Sequence, residues 1–178
     1  MPHEANASDS RVVILTGPVG AGKTTIAREL AACSVGPLAS IEGDIFWSFI
    51  AKVAPDQGRG QRMTMVMRAM TAAARHYARD AYEVILDFSI PPWYLDAVRA
   101  LLTGKPFDYV VLRPSEAVCA ARAAARSAGA ITDYAPYRDL YASFDGVERF
   151  TISDDESDAR SIAARIRAGL EAGTFRVS

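Results

Sequence analysis

Histidine and cysteine are scarce, two of each in 178 residues. Cys33 and Cys119 lie far apart, in no C-x-x-C pair and beside no histidine. That excludes a disulfide framework and a cysteine–histidine zinc site. Both fall among alanines in predicted helices, so both are expected to be buried, inert thiols, as suits a reducing, cytoplasmic setting. His3 and His76 have no catalytic partner nearby in the sequence. Neither sign of charge is in surplus: 20 basic against 21 acidic residues leave a net charge of -1. Such a balance supplies no broad basic field for duplex nucleic acid. No apolar run approaches the roughly 20 residues of a membrane span. The polar start, Met1–Ser10, lacks the apolar centre of a secretory signal and is expected to be a loose tail over residues 1–10. Internal repeats and low-complexity linkers are missing too, so 11–178 is expected to be a single domain. Lysine is restricted to Lys23, Lys52 and Lys105.

What is present is an alternation. Apolar runs at Val12–Thr16, Leu38–Ile41, Val84–Asp87, Tyr109–Leu112 and Arg149–Ile152 are separated by helical patterns. The third and fourth runs are nearly continuous in aliphatic residues, as in strands buried on both faces. This order predicts an α/β fold, a parallel sheet with helices on both sides in three αβα layers. Helices are expected over Lys23–Ser34, Asp44–Ala54, Arg62–Ala81, Pro91–Leu102, Asp139–Phe144 and Ser157–Ala172, and after an N-cap at Ser115. Met63, Met67 and Met70 share one face of the third of these, where core packing is the plain reading.

The first apolar run leads into Gly17-Pro18-Val19-Gly20-Ala21-Gly22-Lys23-Thr24, a G-x-x-x-x-G-K-T loop that opens a helix at Thr25. Strand, glycine-rich loop and helix in that order make a phosphate cradle. Its backbone amides turn into one concavity beside the positive end of a helix dipole. Residues Gly17 to Thr25 are therefore the expected nucleotide-binding set, with Lys23 reaching the outer phosphates and the Thr24 hydroxyl holding Mg2+.

Ligands of open parallel sheets bind beyond the carboxyl ends of the strands. The third run closes on Asp87, a position from which a carboxylate can hold Mg2+; capping a turn is the alternative. Phe88 follows, not the glutamate that motor ATPases commonly place there. Asp44 opens the helix after the second run and could accept a proton from an attacking hydroxyl, besides capping that helix. Glu42 is the lesser acid of the pair. Phe46, Trp47 and Phe49 could line an acceptor pocket or pack inward. Arg122 and Arg126, four apart on one expected helical face, precede a glycine-containing loop. They suit a lid that neutralises transferring charge; a solvated face with like charges is the alternative. Arg59, Arg62 and Arg138 stand second to them.

The chain resembles the small P-loop kinases of the gluconate kinase, shikimate kinase and chloramphenicol phosphotransferase type. The resemblance rests on the Gly17–Thr24 loop, Asp44, Asp87 and the Arg122/Arg126 pair. From Val111 through Asp133-Tyr134 to Asp145 it also looks like bacterial ATP-binding proteins near the zeta toxins. The resemblance implies a P-loop NTPase fold with a five-stranded sheet in the order 2-3-1-4-5 and a helical lid over about 122–138. It also implies an acceptor region over about 44–62, with Asp44 as base or acceptor contact. The turn after Asp87, Phe88-Ser89-Ile90-Pro91, lacks the arginine of adenylate kinases, and no N-K-x-D guanine signature occurs.

These readings predict an ATP- and Mg2+-dependent kinase of a small-molecule hydroxyl, acting as a monomer or homodimer, with catalysis by Lys23, Asp44, Arg122 and Arg126. Two alternatives stay open: a non-catalytic nucleotide-binding regulator, and a zeta-toxin-like kinase of a nucleotide sugar or nucleic-acid end.

Overall fold

The computed structural model describes residues 10–177; all of the expected tail except Ser10 lies outside them. Six strands form one sheet: β1 (Val12–Thr16), β2 (Leu38–Glu42), β3 (Glu83–Asp87), β4 (Phe107–Leu112), β5 (Thr151–Ile152) and β6 (Arg176–Val177). The helices are α1 (Lys23–Ala32), α2 (Gly43–Ser48), α3 (Arg59–Arg79), α4 (Leu95–Leu101), α5 (Glu116–Ala124), α6 (Arg138–Ala142) and α7 (Ala159–Glu171). The parallel order is β2-β3-β1-β4-β5, as the resemblance implied, and β6 adds an antiparallel pair at the start of β4.

Strand side chains alternate between faces, and in β1 both faces are dry. Val12 and Ile14 point into a core shared with α3 and α4 through Val66, Met67, Met70, Ala74 and Val98. Val13 and Leu15 point into a second core with α1, α5 and α7 through Ile26, Leu30, Cys119, Ile162 and Ile166. Each such aliphatic side chain contributes about 1.5–3 kcal/mol by leaving water, which explains why β1 and β4 lack any polar alternation. The methionine stripe is core: Met67 and Met70 are buried and Met63 packs against them.

Several expected boundaries move. The helix expected over Asp44–Ala54 ends at Ser48, because residues 51–56 are all exposed and have no apolar face to bury. The long helix starts at Arg59 and not Arg62, since Gln61 Oε1 accepts the Gly58 amide at 3.0 Å and closes the first turn. Residues 148–150 form a 3-10 turn, leaving only Thr151–Ile152 in β5. Cys33, expected to be buried, is exposed at the end of α1, while Cys119 is buried. The helix bearing Arg122 stops at Ala124, so Arg126 lies beyond it. β6 is too short to leave a periodic signal. Among the described residues no helix is long and apolar enough to cross a membrane.

This topology creates the site. Neighbours of β1 come from different parts of the chain, β3 on one side and β4 on the other. A crevice opens where the order reverses, beyond the carboxyl ends of the strands. Parallel register sets Asp87 beside Leu15 and Glu42 beside Asp87.

Candidate active site

The loop after β1 is held in shape by close backbone packing. Gly17 has φ +143°, and a Cβ there would lie 2.0 Å from the Leu112 carbonyl oxygen. At Gly20, φ is +82° and a Cβ would lie 2.0 Å from the Cys119 carbonyl oxygen. Only glycine fits either place. Side chains from distant elements brace the loop. Ser89 Oγ donates to the Gly17 carbonyl at 2.9 Å, and Tyr134 Oη donates to the Val19 carbonyl at 2.7 Å. Beneath it, the Ile90 amide donates to Thr16 Oγ1 at 2.7 Å. α1 begins directly after Gly22 with no side-chain cap. The amides of Gly22, Lys23 and Thr24 have no acceptor among the described residues. Unpaired amides at a helix N-terminus are the donors that an anion takes up.

One cleft of about 540 Å3 gathers Lys23, Thr24, Asp44, Asp87, Arg122 and Arg126. Lys23 Nζ donates to the carbonyls of Gly17 at 3.3 Å and Pro18 at 3.0 Å. Burial pushes its pKa down, opposed by the charges of Asp87 and Asp44. Thr24 Oγ1 donates to Asp87 Oδ2 at 2.5 Å. Burial also raises the Asp87 pKa, against the Thr24 hydrogen bond and Lys23, with Glu42 and Asp44 adding repulsion. Hydroxyl and carboxylate are the hard oxygen donors that Mg2+ takes beside phosphate oxygens. Among the described residues no group of three His, Cys, Asp or Glu is placed to hold a metal. The donor set therefore fits an ion shared with a phosphate rather than one caged by protein.

Asp44 stands exposed in the first turn of α2 with its carboxylate on the cleft. Arg122 approaches the loop from α5: its Nη1 would be 3.8 Å from a Cβ at Gly22. Arg126 lines the cleft from the turn beyond α5. Arg138 does not join them, because Glu116 Oε1 accepts its Nε–H at 2.8 Å. Arg62 stacks over Trp47 at 5.9 Å. Four further residues line the cleft: Glu42, the lesser acid of the expected pair; Ile131 and Tyr137, from the segment expected to form the lid; and Ser89, from the turn after β3. The bonds of Ser89 and Tyr134 span 72 and 115 residues, a separation that no local pattern encodes.

The family described as AAA domain matches residues 12–140. No curated protein matches the chain significantly. Solved structures share the fold at low identity. A sugar kinase from Janibacter sp. is 19% identical with a TM-score of 0.70, over 92% of this chain and 95% of that one. The tunicamycin resistance protein of Deinococcus radiodurans is 21% identical with a TM-score of 0.70, over 96% and 99% of the two chains. The APS kinase of Mycobacterium tuberculosis, in complex with AMPPNP and APS, is 18% identical with a TM-score of 0.70, over 91% and 98%.

Proposed function

This chain belongs to the AAA domain family, and from that premise we propose that it is an ATP- and Mg2+-dependent phosphotransferase acting on a hydroxyl of a small molecule. One observation carries the reading: the P-loop cradle, two oxygen donors, an exposed carboxylate and two arginines share a single cleft. Among structural relatives, a sugar kinase and an APS kinase lend support to the reaction class.

The unpaired amides of Gly22, Lys23 and Thr24 hold the phosphates, and Lys23 leaves the loop carbonyls to reach the outer ones. Thr24 and Asp87 would hold Mg2+, which would offset the charge of the phosphates. Asp44 accepts the proton of the acceptor hydroxyl as its oxygen bonds to the γ-phosphorus. The bond from that phosphorus to the β-phosphate bridging oxygen breaks, and ADP leaves. Arg122 and Arg126 lie against the charge that builds on the transferring group. Positioning and electrostatics supply most of the acceleration in such a transfer.

The acceptor enters from the α2 side. Ile45 and Phe49 are 49% and 69% exposed beside Asp44, which favours an acceptor with an apolar portion. An ATP-consuming enzyme whose thiols are both free suits the cytoplasm. Burial pushes the Cys119 thiol up to about 11, which keeps it inert.

The test is acceptor-dependent ADP release across sugar acids, aminoglycosides, phenicols and nucleosides. Release stimulated by one class supports the kinase. Tight binding of an ATP analogue with no transfer to any acceptor identifies a non-catalytic module.

A further inference from the structure

A cavity of about 720 Å3 lies at the other end of the sheet from the P-loop, beside Val12, Glu83 and Pro106 at the starts of β1, β3 and β4. Five cations line it: Arg11, Arg75, Lys105, Arg167 and Arg176. Two acids answer them. Glu83 accepts both hydrogen bonds from Arg167 Nη1, at 2.7 and 2.8 Å. Asp108, fully buried, has Arg11 Nε 3.3 Å from Oδ2 and accepts from Arg176 Nε at 3.1 Å. Arg75 and Lys105 have no acidic partner among the described residues. The Nε atoms of Arg75 and Arg167 are buried without an acceptor. Helix dipoles do not account for these charges. The last turn of α3 already carries His76 and Arg79, and that of α4 carries Arg99.

An unbalanced cluster of cations around a concave space is unfavourable when empty and is relieved by an anion. The volume lies in the range of small-molecule sites, and the surplus is local, because the whole chain carries -1. We propose that this cavity is a second ligand site, for a small multiply charged anion bearing phosphate or carboxylate groups, with Arg75 and Lys105 as its free cations. Arg11, Arg167 and Arg176 serve as its walls, since each already holds a buried or half-buried acid.

The test titrates the full chain with inorganic pyrophosphate, and separately with citrate, by calorimetry and by amide hydrogen exchange. Wild type is expected to bind two equivalents of pyrophosphate, with protection at residues 17–25 and at 102–108. In the double variant Arg75→Met, Lys105→Met one equivalent remains, with protection at 17–25 alone; that retained equivalent shows that the variant is folded. Lys23→Ala gives the converse pattern. Citrate protecting 102–108 assigns the site to carboxylates as well; pyrophosphate alone doing so assigns it to phosphates, and either result upholds it. The proposal is overturned if both probes leave 102–108 unprotected, or if the double variant binds as many equivalents as wild type.

Discussion

Thr24 Oγ1 and Asp87 Oδ2 are 2.5 Å apart although 63 residues separate them in the chain. Parallel pairing of β1 with β3 sets Asp87 beside Leu15, two residues before the P-loop begins. The sheet thus delivers a carboxylate to the first turn of α1.

Burying this carboxylate has a cost in the free protein, which the Thr24 hydrogen bond offsets only in part. Burial raises the Asp87 pKa above its usual 3.8. The folded state then binds more protons than the unfolded state above that value, so this group lowers stability as pH rises from 3.8 through the folded pKa. Asp87→Asn, which can still accept the Thr24 hydroxyl, is expected to match or exceed wild type in melting temperature at pH 7. The difference should narrow as pH falls toward 4. Thermal melts across that interval check it; a variant that melts lower at pH 7 than at pH 4 relative to wild type contradicts it.

Lys23→Ala is expected to abolish ATP turnover and leave the far-UV spectrum and cooperative melt intact, because among the described residues the Lys23 side chain hydrogen-bonds two nearby carbonyls and nothing distant. Turnover at the wild-type rate removes Lys23 from the mechanism.

Asp44→Asn is expected to slow phosphoryl transfer by about 10²–10⁴ while sparing ATP-analogue affinity, since Asp44 is proposed to take the acceptor's proton and the loop amides to hold the phosphates. Parallel measurement of kcat and analogue Kd separates the two. Activity within about twofold of wild type leaves Asp44 only a charge in the first turn of α2, whose N-cap is Glu42.

Gly20→Ala is expected to destabilise the protein by more than the ~1–2 kcal/mol of a left-handed backbone, because its Cβ would fall 2.0 Å from the Cys119 carbonyl oxygen. Denaturant melts report the loss. A neutral result means that the loop and α5 are not in contact.

Tyr134→Phe removes a 2.7 Å bond to the Val19 carbonyl and should cost about 1 kcal/mol. Because that bond ties the segment after α5 to the P-loop, ATP-analogue affinity should weaken along with stability. Weakening of stability alone makes Tyr134 a packing residue only.

How much of this was legible in the sequence follows from the range of each signal. The P-loop, the carboxylate after β3 and the alternation of strands and helices are local patterns, and the structure places Lys23, Thr24, Asp44, Asp87, Arg122 and Arg126 in one cleft. The sheet order follows from the same alternation only with help from the resemblance, because periodicity says nothing of which strands are neighbours. Tyr134, Ser89 and β6 act across long separations, so nothing beside them in the chain announces them. Cys33 misled because alanine-rich helices show little contrast between faces: Ala27 is buried while Ala32 is exposed.

Equilibrium binding of a non-hydrolysable ATP analogue, with and without Mg2+, to wild type and Asp87→Asn probes the pairing of the cradle with this carboxylate. Mg2+ is expected to tighten binding to wild type and to have little effect on the variant. Equal tightening in both proteins, or none in wild type, contradicts the pairing of the phosphate cradle with Asp87.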